Sequence, residues 1–205
     1  IAIAHPLLIG VAEDDRLEEF VTARLFRVLG TDRSARRIVR DGSATEDDRV
    51  VGITAAMPSG TCLRDFAKVF PDRMYDVGIC EQHSFAFAEG LAVTGLRPVV
   101  AHYSTFAQRG YDQLFQEVVV QRDLGIVITL DRAGLVGEDG ETHQGLYDIA
   151  WSRCFPGLVL CAPKDGPELR AMLRWAHHAR NDPDHRAAGY VLRYPREEAP
   201  VIALA

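Results

Sequence analysis

The chain has 205 residues, 47% of them hydrophobic and 25% charged, which is enough for one domain with a sizeable buried core. Its formal net charge of −6 provides no basic surface typical of nucleic-acid-binding proteins, and no apolar run is long enough to span a membrane. The four cysteines form no close pair, so the sequence favours a reducing cytoplasm over a disulfide framework or a cysteine metal site.

The predicted elements divide the chain near residue 49. Residues 12–29 place apolar side chains at helical spacing and are followed by Gly30, which predicts a helix. Residues 31–48 are polar and charged and indicate an exposed loop. We therefore expect residues 1–48 to form an N-terminal helix and charged loop that lead into a single domain at residues 49–205.

From residue 49 onwards, apolar runs alternate with helical patterns. Helical spacing occurs at residues 62–70, 106–121 and 166–178, and the last of these begins with Asp165 and Glu168 at capping-box spacing. This alternation predicts an α/β fold, a three-layer αβα arrangement around a mainly parallel sheet. The apolar runs, each predicting a strand, occupy residues 49–56, 75–79, 97–103, 125–131, 157–162 and 189–194.

Polar and charged side chains collect where the predicted strands end. Because ligands of parallel α/β sheets bind at the carboxyl ends of the strands, this clustering predicts a binding site at that edge. The chain contains neither G-x-G-x-x-G nor G-x-x-x-x-G-K-[ST], the two common phosphate-binding loops. The residues at the predicted strand ends are Glu81, Tyr103, Asp131, Arg132, Arg193 and Tyr194.

Five sequence blocks occur in one order, with compact spacing, over residues 49–196. Together they resemble the central, pyrimidine-binding domain of 1-deoxy-D-xylulose-5-phosphate synthases, a family of the transketolase superfamily. The resemblance implies the thiamine diphosphate-binding fold of transketolase pyrimidine domains. The block at residues 130–145 is the most specific, because it separates this family from transketolase proper and from 2-oxoacid dehydrogenase β subunits. The blocks are VGITAAMPSGT (51–61), FPDRMYDVGICEQH (70–83), RPVVAHYSTFAQRGYDQ (97–113), LDRAGLVGEDGETHQG (130–145) and YVLRYPR (190–196).

Glu81 is the first candidate catalytic residue. The resemblance implies that its carboxyl group hydrogen-bonds a ring nitrogen of the thiamine diphosphate aminopyrimidine. Sharing a proton with that ring prepares the cofactor to lose a proton from its reactive carbon, so the protein orients and polarises while the cofactor does the difficult chemistry. The alternative is that Glu81 is an ordinary acidic residue in the first turn of a helix.

Three further residues match positions near the cofactor. Phe106 corresponds to an aromatic residue that stacks on the aminopyrimidine, Arg109 to an arginine close by, and Met57 to an apolar residue beneath the bent cofactor. Each has a plainer alternative: core packing for Phe106 and Met57, and an exposed helix charge for Arg109.

The resemblance also implies a set of substrate contacts. Arginine suits a phosphate or carboxylate because its planar guanidinium binds two oxygens at once. His143 is the second candidate catalytic residue, which would hydrogen-bond a carboxylate or shuttle a proton near neutral pH. The implied substrate-binding residues are Tyr103, Arg132, Asp139 and Arg193.

The implied reaction condenses pyruvate with glyceraldehyde 3-phosphate and releases carbon dioxide. Mg²⁺ and the cofactor diphosphate would be held by a domain absent from this chain, because G-E-D-G at 137–140 is not the family's diphosphate motif and Asn181 is the only asparagine. We therefore expect a piece of a larger, cytoplasmic, homodimeric enzyme that is inactive alone and pairs with a diphosphate-binding domain. A separate subunit of a split enzyme is the alternative.

Two rival functions stay open at this point. The chain could be the corresponding domain of transketolase or of a 2-oxoacid dehydrogenase β subunit. It could also be a degenerate domain that keeps the fold for association. Several residues that are unusual for the resembled family favour the second rival, and we expect Gly110 to cost about 1 kcal/mol of helix stability relative to alanine. These residues are Cys80, Ser84, Phe85, Glu89, His102 and Gly110.

Overall fold

The computed structural model describes residues 47–61 and 63–196, apart from the side chains of Asp65 and Arg170. The helix predicted over residues 12–29 and nearly all of the charged loop predicted over 31–48 lie outside these ranges. The boundary expected at residue 49 stays a prediction.

Six parallel strands form one sheet in the order β2-β1-β3-β4-β6-β5. Each apolar run in the sequence overlaps one of them, and only the strand at Met74–Asp76 begins before its run. The central strands β1 and β4 are buried along their whole length, as expected when helices cover both faces of a parallel sheet. The strands are β1 (Val50–Thr54), β2 (Met74–Asp76), β3 (Arg97–Tyr103), β4 (Ile126–Asp131), β5 (Leu158–Cys161) and β6 (Gly189–Arg193).

The three predicted helices are present with one difference, and two further α-helices occur at Glu81–Val93 and Asp148–Ser152. The single helix predicted over residues 106–121 is divided into α3, a 3-10 turn (Gln108–Gly110), α4 and a π-helix (Leu114–Val119). Two further 3-10 turns occur at Pro71–Arg73 and Glu141–His143. The α-helices are α1 (Leu63–Val69), α2 (Glu81–Val93), α3 (Ser104–Ala107), α4 (Tyr111–Gln113), α5 (Asp148–Ser152) and α6 (Gly166–Ala179).

The predicted cap of α6 is present. Asp165 precedes the helix and its carboxylate accepts a hydrogen bond from the backbone N–H of Glu168 at 2.8 Å. The Glu168 carboxylate in turn accepts from the backbone N–H of Lys164 at 2.6 Å. Two backbone donors at the helix start are thereby satisfied by side chains.

Two buried clusters occupy the two faces of the sheet. One joins α1 and α6 to the sheet through residues such as Leu63, Phe66 and Leu173. The other joins α2, the π-helix and α5 to the opposite face through residues such as Phe85 and Val118. The predicted three-layer αβα fold is therefore confirmed, with a sheet that is parallel throughout the described residues.

The parallel arrangement brings the carboxyl ends of five strands to one edge. Asp76, Tyr103, Asp131 and Arg193 are the last residues of β2, β3, β4 and β6, and the loop from Ala55 follows β1. Side chains separated by more than one hundred positions in sequence therefore meet at this edge.

Candidate functional site

Glu81 is the first residue of α2 and only 2% exposed. Its Oε1 atom accepts one long hydrogen bond, 3.4 Å, from Nη1 of Arg109, whose side chain is half-exposed. Its Oε2 atom is buried and has no hydrogen-bond partner among the described residues. A buried carboxylate oxygen without a donor is costly, so this atom is poised to accept a hydrogen bond from a bound group.

Aromatic rings line the space beside Glu81. The Phe106 ring lies edge-on to the imidazole of His143, with centroids 5.1 Å apart, and is stacked 6.0 Å from the Tyr103 ring. The Arg109 guanidinium carbon lies 5.2 Å from the centroid of Phe106, so Arg109 connects Glu81 to this group. Phe106 is only partly buried, which leaves part of its surface free to contact a flat ring.

The loop after β1 packs directly on Tyr103. The Met57 sulfur accepts a hydrogen bond from the backbone N–H of Tyr103 at 3.3 Å. A Cβ atom at Gly60 would overlap the Tyr103 phenol, so a residue without a side chain is required for this close approach. Met57 therefore lies next to the aromatic group.

Arg132 lies on the other side of Tyr103, with its guanidinium carbon 3.7 Å from the ring centroid. It forms 2.8 Å ion pairs with Asp131 and Asp139. Its backbone is left-handed (φ 59°), a sparsely populated conformation for a non-glycine residue that clusters at functional sites. The Asp131 carboxylate supports that conformation by accepting a hydrogen bond from the backbone N–H of Arg132.

Burial raises the pKa of Asp131 to about 6, and the Arg132 guanidinium opposes part of that rise. Burial also raises the pKa of the Tyr103 phenol. The arginine-rich end of the site is thus partly desolvated, which strengthens its interactions with an anion.

Arg196 shares Asp139 with Arg132. Its Nη1 atom lies 2.8 Å from Oδ1 of Asp139, while Nε of Arg132 lies 2.8 Å from Oδ2. One carboxylate therefore holds two guanidinium groups close together. The sequence analysis did not select Arg196, although it closes the YVLRYPR block.

Arg193 takes a different partner. Its Nε atom lies 2.8 Å from the Asp148 carboxylate, whose side chain is fully buried at the start of α5. A buried carboxylate needs such a partner, so this guanidinium has a structural role in the observed conformation. Arg193 still lies at the same sheet edge, next to Leu130 in register.

The segment between β4 and α5 is held by Gln144. Its side-chain amide donates to the carbonyls of Val136 and Gly140, and its oxygen accepts from the N–H of Val136, at 2.7–2.8 Å. Gly134 and Gly145 pair through two backbone hydrogen bonds at the base of the segment. This arrangement presents Asp139 and His143 to the site.

The predicted site residues thus form one contiguous set, with Arg193 the exception. Contacts run from Glu81 through Arg109 to the aromatic group, then to Arg132 and Asp139. At one end the set offers a buried hydrogen-bond acceptor beside a ring, and at the other a pair of guanidiniums suited to an anion. Within residues 47–61 and 63–196, no cluster of three or more His, Cys, Asp or Glu side chains is arranged to hold a metal ion. No helix in those ranges is long and apolar enough to cross a membrane.

The sequence matches a family model described as the transketolase pyrimidine-binding domain over residues 33–200. Similar curated proteins are 1-deoxy-D-xylulose-5-phosphate synthases. That of Thermomicrobium roseum is 56% identical over 153 residues, 75% of this chain and 23% of the relative. That of Aquifex aeolicus is 50% identical over 156 residues, 76% of this chain and 24% of the relative. The chain therefore spans about a quarter of the length of these relatives.

Solved structures with a similar fold include a split-gene transketolase described as an inactive β4 tetramer. It superposes with a TM-score of 0.67 at 23% identity, covering 90% of this chain and 53% of the other. Transketolase from Leishmania mexicana gives a TM-score of 0.63 at 20% identity, covering 74% of this chain and 23% of the other. At these identities the likeness concerns the fold alone.

Proposed function

The chain belongs to the transketolase pyrimidine-binding domain family, and from this premise we propose that it is the pyrimidine-binding domain of a thiamine diphosphate-dependent 1-deoxy-D-xylulose-5-phosphate synthase. The complete enzyme would be a transferase that joins pyruvate to glyceraldehyde 3-phosphate with loss of carbon dioxide. The relatives support this reaction, and the DRAGLVGEDGETHQG block favours it over the transketolase and 2-oxoacid dehydrogenase reactions.

The unpartnered Oε2 atom of Glu81 is the observation that carries the proposal. A protonated or amino-bearing pyrimidine would supply the missing donor, and the exposed part of Phe106 would stack on its ring. Arg109 contacts both of these residues, and the Met57 sulfur contacts the main chain of Tyr103. These residues offer an aminopyrimidine a hydrogen-bond acceptor and the face of an aromatic ring.

When bound, thiamine diphosphate supplies a carbon nucleophile and accepts the electron pair released as carbon dioxide leaves. The role of this chain is to hold a proton between Glu81 Oε2 and the pyrimidine ring and to fix the orientation of that ring. The burial of Glu81 keeps bulk water from competing for its carboxylate.

Arg132 and Arg196 would bind the phosphate of glyceraldehyde 3-phosphate. Both contact one carboxylate, that of Asp139, and a phosphate offers the same bridging geometry with more charge. Tyr103 lies against Arg132 and would add a hydroxyl contact. His143, edge-on to Phe106, would hydrogen-bond a substrate carboxylate or move a proton. Arg193 would contribute only after releasing Asp148.

Mg²⁺ and the cofactor diphosphate would be held by another domain, because G-E-D-G at 137–140 is not the diphosphate motif of the resembled family. That domain is the principal proposed partner, within a homodimer in the cytoplasm. In this proposal the partner domain would face the carboxyl ends of the strands, where the candidate site lies.

The test measures carbon dioxide release from pyruvate in the full-length protein that contains this chain, with glyceraldehyde 3-phosphate, thiamine diphosphate and Mg²⁺ present. We expect Glu81→Gln to lower the rate by about 10²-fold or more, because it removes the proton-sharing carboxylate. Glu89→Gln, on the same helix α2, is the matched control and should retain the wild-type rate. Equal rates for Glu81→Gln and wild type would refute the proposed role, and activity only on pentose phosphates would identify a transketolase.

A further inference from the structure

A buried cluster lies beneath the first turn of α2, where Glu81 begins the helix. It consists of Ser84, Phe85, His102 and Gly110, and we call it the first-turn cluster. The side chains of Ser84, Phe85 and His102 are all 0% exposed. None of these residues forms a hydrogen bond or an ion pair with the Glu81 carboxylate, whose one such partner among the described residues is Arg109.

The hydrogen bonds of the cluster have a definite direction. The Ser84 hydroxyl lies 2.6 Å from the backbone carbonyl of Glu81 and 3.1 Å from Nε2 of His102. A carbonyl oxygen can only accept, so the single hydroxyl proton of Ser84 is donated to Glu81. The Ser84 oxygen must then accept from His102, which requires a proton on Nε2. The result is a directed chain from His102 through Ser84 to the main chain of Glu81.

The remaining nitrogen of His102 agrees with this assignment. Its Nδ1 atom is buried and has no hydrogen-bond partner among the described residues. Burial lowers the pKa of His102 to about 3, so the ring is neutral at physiological pH. A neutral ring with its proton on Nε2 leaves Nδ1 as a bare acceptor, which costs less than a buried, unpartnered N–H.

The first turn of α2 has no cap from its own preceding residue. Cys80 occupies the N-cap position and its side chain makes no capping hydrogen bond. Serine, threonine, aspartate or asparagine at that position would normally fix the turn. Within this turn the Ser84 hydroxyl instead donates to the Glu81 carbonyl, which links the first residue of the helix to Ser84 but satisfies none of the free N–H groups.

Phe85 and Gly110 fix the lateral position of the same turn. The Phe85 ring lies edge-on to His102, with centroids 5.5 Å apart. A Cβ atom on Gly110 would lie 2.5 Å from that ring and 3.2 Å from the carbonyl oxygen of Glu81. The main chain at Gly110 therefore contacts both the ring and the carbonyl that Ser84 holds.

We propose that His102 is a positioning residue for Glu81, acting through Ser84 on the first turn of α2 and so on the direction of the Glu81 carboxylate. The inference rests on the proposed function, since the carboxylate matters only if it meets a cofactor. Glu81 has one long hydrogen bond to a half-exposed arginine, so hydrogen bonds contribute little to holding its side chain in place. Its direction is therefore set mainly by the main chain that carries it.

The experiment uses the full-length protein that contains this chain, loaded with thiamine diphosphate and Mg²⁺. His102→Leu removes the donor at similar volume, whereas His102→Gln places an amide N–H at the position of Nε2. Ser84→Ala removes the bridge. For each variant we measure cofactor affinity by calorimetry and the rate at which the C2 proton of the bound cofactor exchanges with deuterium oxide. Histidine-selective ¹⁵N NMR of the wild type tests the Nε2–H tautomer without cofactor.

We expect His102→Leu and Ser84→Ala to slow C2 exchange by about tenfold or more, because small displacements of a catalytic group cost this much. Cofactor affinity should stay within about threefold, and His102→Gln should restore most of the exchange rate. The double variant His102→Leu/Ser84→Ala should be no slower than Ser84→Ala, because residues in one hydrogen-bond chain are not additive.

Wild-type exchange in His102→Leu and Ser84→Ala, together with slow exchange in Glu81→Gln, would overturn the positioning role and leave the proposed function intact. Unchanged exchange in Glu81→Gln would overturn the proposed function itself. Additive losses in the double variant, no rescue by His102→Gln, or an Nδ1–H tautomer would each overturn the hydrogen-bond chain. If His102→Leu does not fold, Ser84→Ala decides the matter, and a wild-type exchange rate in that variant is the contrary result.

Discussion

Gly110 shows at the residue scale how a local rule can mislead. By helix propensity alone, alanine should stabilise this position by about 1 kcal/mol. Yet a Cβ atom there would lie 2.5 Å from two carbons of the buried Phe85 ring. Because overpacking a buried contact typically costs about 1–3 kcal/mol, we expect Gly110→Ala to lower the free energy of unfolding, measured by urea titration.

Gly90 provides the matched control. It lies inside α2, and a Cβ atom there would have nothing within 4 Å. Gly90→Ala should therefore raise the free energy of unfolding by up to about 1 kcal/mol. In the Gly110→Ala background, Phe85→Leu should cost less than it does alone, because the smaller side chain makes room for the methyl group. Stabilisation by both alanine substitutions would refute the steric explanation.

The residues of the candidate site show what the sequence can and cannot predict. Glu81 and Arg132 can be proposed from sequence because they lie just past apolar runs, and Phe106 because it lies in a block that resembles the family. Arg196 was missed because its role depends on a carboxylate 57 positions away, and Arg193 was not expected to be engaged by a buried aspartate 45 positions away. Long-range ion pairs of this kind leave no local signal.

At the scale of elements, strand and helix positions follow from periodicity, but helix type does not. Five of the six strands fall within the predicted apolar runs, and β2 begins one residue before its run of 75–79. The helix predicted over residues 106–121 instead changes from α to 3-10 and π geometry. Its apolar spacing fits each of these over a few residues, and the packing of Gly110 against α2 marks one of the breaks. Tertiary contact decided what the local pattern left ambiguous.

The side chain of Gln144 holds the segment that carries Asp139 and His143 through hydrogen bonds to its main chain. Gln144→Glu replaces an amide that donates to two carbonyls with a carboxylate that repels them. We expect faster amide hydrogen exchange across residues 135–143, measured by mass spectrometry, with a global stability loss below about 2 kcal/mol because the segment lies outside the core.

Gln113→Glu is the control, since Gln113 is partly buried in α4 and its side-chain amide donates a hydrogen bond to the neighbouring Asp112. It should leave exchange in residues 135–143 unchanged. Unaltered exchange in Gln144→Glu would show that the paired glycines Gly134 and Gly145 hold the segment without help from the amide.

At the scale of the whole molecule, the pH dependence of stability should be dominated by buried neutral histidines. Burial lowers the pKa of His102 to about 3 and that of His177 to about 4. The unfolded chain binds protons at these positions below about pH 6.5, whereas the folded chain does not. The free energy of unfolding that these two histidines contribute is therefore fully present above that pH, and it is lost as the pH falls towards their folded pKa values. Asp131, with a folded pKa raised to about 6, works in the opposite direction and offsets part of the loss.

His102→Gln isolates one of these contributions, because glutamine keeps an N–H donor for Ser84 but does not titrate. The wild type should lose about 2 kcal/mol from His102 alone between pH 7.5 and pH 5, and the variant should lack that share of the loss. Urea unfolding at a series of pH values measures it, with His83→Gln as a control that changes an exposed histidine on α2. Parallel pH profiles for His102→Gln and wild type would mean that the pKa of His102 is the same in the folded and unfolded states. A ring that takes up a second proton so readily would not be sealed from solvent, which would contradict the buried, unpartnered Nδ1 atom.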